Sequence, residues 1–136
     1  GCDGFDGIES AEGFDINSIP QKVSMLSHFN SKATDGKAGD FIKKYTEKYG
    51  TDTLNQFGAS AYDSVYALFN AMKELKAEGK EITPDMTASE LCDLLKGKFT
   101  GGFTVAEAAT GSNITWESTG KVKKGATKYV LKEANA

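Results

Sequence analysis

Apolar residues recur along this chain at two periods, close to 3.6 through its middle and close to 2 near its ends. In KVSMLSHF, residues 22–29, Val23, Met25 and Ser27 fall on one face, as in a strand. The following NSKATDGKAG is a polar loop in which Asp35 serves as the N-cap of a helix running to Tyr49. Ala38, Phe41, Ile42, Tyr45 and Tyr49 share one face of that helix, Lys43, Lys44 and Lys48 lie outside it, and Gly50 supplies the stop. A second helix is expected from about Gly58 to Glu78. Its apolar stripe is Ala61, Tyr62, Val65, Leu68, Phe69, Met72 and Leu75, and Gly79 ends it.

Thr87 and Glu90 have the spacing of a capping box ahead of Leu91, Leu94 and Leu95, which predicts a third helix to about Lys96. After KFTGGFT the pattern turns to strand. NITWESTGKVKKG reads as a hairpin turning at Ser118, Thr119 and Gly120, and TKYVLKE as the last strand. Strands and long helices in alternation predict an α/β architecture. The chain opens inside a glycine-rich loop with no strand leading into it, and so reads as a fragment of a larger fold.

The net charge of −3 gives no electrostatic reason to expect nucleic acid or an anionic membrane surface. All 16 basic residues are lysine, which removes the planar, bidentate recognition of phosphate that arginine provides. No apolar run is long enough to span a membrane, and no signal-peptide core is present. Two cysteines, Cys2 and Cys92, are too few for a disulfide scaffold, and Cys92 on its amphipathic helix reads as a buried thiol. The single histidine, His28, ends a strand, where a structural role is expected. Any zinc site or Ser–His–Asp triad would have to run through that one residue. No nucleophile–base pair can be assembled, so the chain is not read as an enzyme, and neither a metal nor a cofactor is expected.

The opening GCDGFDGIE concentrates three acids, three glycines and a cysteine. It is not an EF-hand loop: counting from Asp3, the third, fifth and twelfth positions are Phe5, Gly7 and Phe14. Gly1-Cys2 matches only the last two positions of a lipobox. GKAGDF lacks the spacing of a phosphate loop, and TGGF precedes strand rather than helix. Asn113-Ile114-Thr115 is a glycosylation sequon, a tripeptide common by chance. What remains is Asp3 on a loop whose flanking glycines let backbone approach a ligand closely. On the residues alone, a solvated turn is the alternative.

The order FIKKYTEKYG, NQFGASAYDSVYALFNAMKEL, a leucine helix, KFTG and ITWESTGKVKKGATKYVLK resembles the C-terminal part of type I solute-binding proteins. These are the extracytoplasmic receptors of branched-chain amino acid ABC transporters, similar to leucine/isoleucine/valine-binding proteins. The resemblance covers nearly all 136 residues, about the last third of a family member. It implies the type I periplasmic-binding-protein fold, two lobes built on parallel, Rossmann-like sheets flanked by helices, incomplete in this chain. Residues 1–29 would close the C-terminal lobe with its ligand loop, residues 30–124 would complete the N-terminal lobe with three helices and a hairpin, and residues 125–136 would return as a strand.

The resemblance further implies an amino acid ligand, a membrane permease as partner, and a location in the periplasm or on the surface of a Gram-positive cell. The loop Asp3-Gly4 would hold the ligand's ammonium, and Phe57 in NQFGAS would line the pocket. The family's acid at this place is often glutamate, one methylene longer. Helix faces made to cover a sheet would need a further surface, from the N-terminal part of the same protein or a swapped second copy. The same fold also serves as the ligand-sensing domain of membrane receptors and regulators, which is the alternative reading.

Overall fold

The local stops and starts of the helices follow from a few backbone groups. The structure is a computed structural model that describes residue 13 and residues 15–134. Helix α1 spans Gly36–Tyr49 and ends at Gly50, which takes φ +77°, a conformation that suits a residue without Cβ. Asp35 stands at its N-cap in extended backbone, but contrary to expectation its side chain makes no capping hydrogen bond. Helix α2, Gln56–Ala77, starts two residues earlier than the apolar pattern indicates. The cause is Asn55, whose Oδ1 accepts from the Gly58 amide at 2.9 Å and so moves the N-cap forward.

The end of α2 is a Schellman motif, with Lys80 N–H donating to Leu75 O at 2.9 Å and Gly79 N–H to Lys76 O at 3.1 Å. Helix α3, Ala88–Thr100, carries both halves of the capping box: Glu90 N–H donates to Thr87 Oγ1 at 3.3 Å, and Thr87 N–H to Glu90 Oε2 at 2.8 Å. It runs four residues past Lys96. Tertiary contacts extend it, since Phe99 packs against Phe103 and Trp116 while Lys98 pairs with Glu74 of α2 at 2.8 Å.

The strands form two small sheets. β1 (Val23–Ser27) pairs with the last strand β5 (Thr127–Lys132), Met25 opposite Tyr129 and Ser27 opposite Thr127, with a register shift between Val23 and Ser24. β2 (Val105–Ala108), β3 (Gly111–Trp116) and β4 (Val122–Lys123) make a three-stranded sheet in that order. The hairpin turn lies where expected: Glu117 N–H donates to Lys121 O and Gly120 N–H to Glu117 O, both at 2.8 Å. The α/β composition holds, but the parallel sheets do not. Every strand pair among the described residues is antiparallel. Two residues join β2 to β3 and five join β3 to β4, and connections that short admit only the antiparallel arrangement.

Packing divides the apolar stripe expected on α2. Its buried line is Ala59, Ala67, Ala71 and Leu75, whereas Val65 and Phe69 are 65% and 54% exposed. Small alanines let the helix approach its neighbours closely. Around Ala59, one cluster gathers Phe29, Phe41 and Ala109, with Ile42, Tyr45 and Tyr62 at its edge. Around Ala67 and Ala71, a second cluster gathers Phe103, Leu95, Phe99, Val105 and Trp116. Backbone of the preceding loop explains a glycine inside α1. A Cβ built on Gly39 would lie 2.6 Å from the carbonyl carbon of Thr34 and 2.9 Å from its oxygen. Gly39→Ala should therefore lower stability despite the better helix propensity of alanine. Displacing backbone costs about 1–3 kcal/mol against a propensity gain of about 1 kcal/mol or less. Thermal unfolding of the variant checks this, and a raised Tm would show that the loop yields freely.

Candidate functional site

Read in steps of four, the inward line of α2 is Ala59, Asp63, Ala67, Ala71 and Leu75, all buried except the half-buried Asp63. One position in that line carries a charge, and the fold is built to receive it. Asp63 Oδ1 accepts from the Ala109 amide at 2.8 Å, and Oδ2 from the Thr110 amide at 2.8 Å and the Thr110 hydroxyl at 2.6 Å. The two-residue turn between β2 and β3 is thereby pinned to the helix. Thr110 is 1% exposed, so these donors have no access to water in place of the carboxylate.

Lys124, just beyond β4, completes the cluster. Its ammonium donates to Thr110 Oγ1 at 2.7 Å, which leaves the one hydroxyl proton of Thr110 for Asp63. Burial pushes the Lys124 amine below its ordinary range, and the Asp63 charge works against that shift without cancelling it. Together these groups form the polar end of a cavity of about 260 Å³ between α2 and the three-stranded sheet. Ala67, Val105, Ile114, Trp116 and Val122 line the rest, and the hydroxyls of Ser60 and Ser64 stand at its side.

On the other side of Asp63 the Tyr62 ring packs against Phe41 and Tyr66, at centroid distances of 5.0 and 4.6 Å. Burial, then the Tyr66 hydroxyl and the nearby negative charge, push the Tyr62 phenol up to about 12. It stays protonated at neutral pH and is no nucleophile there. The arrangement can hold a small molecule by charge and apolar contact. His28 is not among the residues that line the cavity; its Nδ1 lies 3.1 Å from Gly125 O. A carbonyl only accepts, so that nitrogen carries the proton.

The residues singled out from the sequence are not the ones the fold brings together. Asp3 and Gly4, and Cys2 with them, lie outside the described residues. Phe57 is the second residue of α2 and stands 66% exposed. Cys92 is an exposed free thiol rather than a buried one, because its helix turns Leu91, Leu94 and Leu95 inward instead. Asn113 of the sequon is exposed on β3 with φ +50°. The Thr110 and Lys124 partners of Asp63 escaped the sequence reading. The signal for them was a lone aspartate in a four-residue row of alanines.

Among the described residues, no three His, Cys, Asp or Glu side chains gather as metal ligands do. Among them too, no helix is long and apolar enough to cross a membrane. Compared with protein-family models, with curated proteins and with solved structures, the chain matches none.

Proposed function

We propose that this chain is the C-terminal portion of the substrate-binding component of an ABC transporter, of the type I periplasmic-binding-protein fold. It works outside the cytoplasmic membrane, where two lobes close on an amino acid, branched-chain or similarly small, and deliver it to a permease. The observation that supports this reading best is the path of the chain. β1 and β5, the first and last strands among the described residues, pair with each other, and residues 30–124 between them hold α1, α2, α3 and the other sheet. The chain leaves the ribbon at Phe29 and comes back at Gly125, and His28 bonds Gly125 where the two passages meet. A hinged two-lobe protein needs such adjacent crossings, because closure then bends only a few residues.

In this reading the parallel strands of the fold belong to a preceding part of the protein. Asp3 accepts charge-assisted hydrogen bonds from the ligand's ammonium, Gly4 admits the ligand close to the backbone, and Phe57, exposed at the head of α2, forms one wall. Calorimetric titration of the full-length protein with the amino acids is the test. One small apolar amino acid should bind, and Asp3→Asn should weaken it at least about tenfold, the equivalent of about 1.4 kcal/mol. The melting temperature of the empty variant should stay near that of the parent. Phe57→Ala should weaken binding at little cost in stability, since so exposed a ring adds little to the core. An Asp3→Asn protein that binds like the parent sinks the assignment.

A further inference from the structure

We propose that the cavity between α2 and the three-stranded sheet binds a small apolar carboxylate. The Lys124 ammonium receives the carboxylate, while Ala67, Val105, Ile114 and Trp116 hold the hydrocarbon. The argument starts from the charges. Asp63 is satisfied by three donors, so its oxygens have no need of a further cation. Lys124 is less fully engaged. Among the described residues its ammonium bonds only Thr110 Oγ1, and it reaches Asp63 only through that hydroxyl. Two of its three N–H donors therefore remain for a guest in the cavity that it lines.

A half-buried ammonium with donors to spare is held there at a cost, and burial lowers its basicity accordingly. An anion placed against it removes that cost.

The walls then select among anions. One lysine beside a carboxylate suits a single negative charge better than the two of a phosphate, and no arginine exists to add a fork of donors. Beyond the polar end, and apart from Ser60 and Ser64 at its side, the lining is aliphatic or indole, which fits a hydrocarbon tail rather than a sugar. The volume, about 260 Å³, falls just under the roughly 300–1,000 Å³ that accommodates drug-sized ligands, so a smaller molecule is implied. A cationic guest is disfavoured, because it would meet Lys124 before an already satisfied Asp63. This site stands whether or not the chain binds amino acids, and a plain fatty acid lacks the ammonium that Asp3 would hold.

Trp116 is the only tryptophan of the chain and lines the cavity, so its fluorescence reports entry directly. The probes are hexanoate, hexanol and hexylamine, which share one tail and differ in charge. Hexanoate should change the Trp116 emission saturably, with a dissociation constant at least about tenfold below those of hexanol and hexylamine. Lys124→Met should abolish that advantage and leave hexanol binding as it was, whereas Lys124→Arg should keep it. If Lys124→Met does not fold, the ranking of the three probes on the parent protein decides. No saturable response to hexanoate, equal response to hexanol, or undiminished hexanoate binding by Lys124→Met overturns the proposal.

Discussion

Replacing Asp63 with alanine will lower the stability of the fold by at least about 3 kcal/mol. The carboxylate accepts from the Ala109 amide, the Thr110 amide and the Thr110 hydroxyl, all at 2.8 Å or less. Hydrogen bonds to a charged group contribute about 1.5–3 kcal/mol each, and donors stranded away from water add their own desolvation penalty. Ala109 and Thr110 are both buried, so water does not replace the lost oxygens without opening the turn. Lys124 loses the charge that opposes its desolvation at the same time.

Asparagine is the informative second variant. It keeps the shape of aspartate but offers one acceptor oxygen, and its amide would point N–H donors at N–H donors. Asp63→Asn should therefore fall much nearer to alanine than to the parent. Urea unfolding checks both, read as a shift in midpoint at constant slope. An Asp63→Asn protein within about 0.5 kcal/mol of the parent, the range of ordinary surface substitutions, would mean that the carboxylate is not what pins the β2–β3 turn.

Phe41→Ala should be as damaging, at about 3–5 kcal/mol. Phe41 is 5% exposed and stands at the centre of the first core cluster. Its ring meets those of Phe29, Tyr45 and Tyr62 at centroid distances of 5.8, 5.4 and 5.0 Å. Removing it takes away a large apolar surface and three ring contacts that each contribute about 0.5–1.5 kcal/mol beyond area. The cavity left behind joins α1, α2 and the start of the crossing at Phe29, and the neighbouring rings are too stiff to collapse into it. Phe41→Leu keeps much of the volume and should cost less than half as much. Denaturant unfolding of the pair measures the difference, and a loss under about 2 kcal/mol for the alanine variant contradicts this view of the core.

What the sequence determined by itself is what neighbouring residues decide among themselves. Gly50 and Gly79 stop α1 and α2 because a helix that ends on a left-handed residue needs one without Cβ. Thr87 and Glu90 start α3 because their side chains reach each other's backbone across one turn. The turn at residues 117–121 and the alternation of β1 are local in the same sense, and all of these were readable in advance.

Tertiary structure decided what depends on distant partners. Helix α2 is apolar around most of its circumference, so periodicity gave several eligible faces and no way to choose. The small alanines won the interior because they permit close approach, and the bulkier Val65 and Phe69 were left outside. The direction of the sheets followed from connection lengths and from a first and last strand that pass in opposite directions, which no alternation pattern encodes. Asp63 meets its partners 46 and 47 residues further on, and His28 its partner 97 residues on. A carboxylate in a row of alanines signals that partners must exist, because an unpaired buried charge is too costly to keep. Only the folded chain says that they are the turn at Thr110 and, behind it, Lys124.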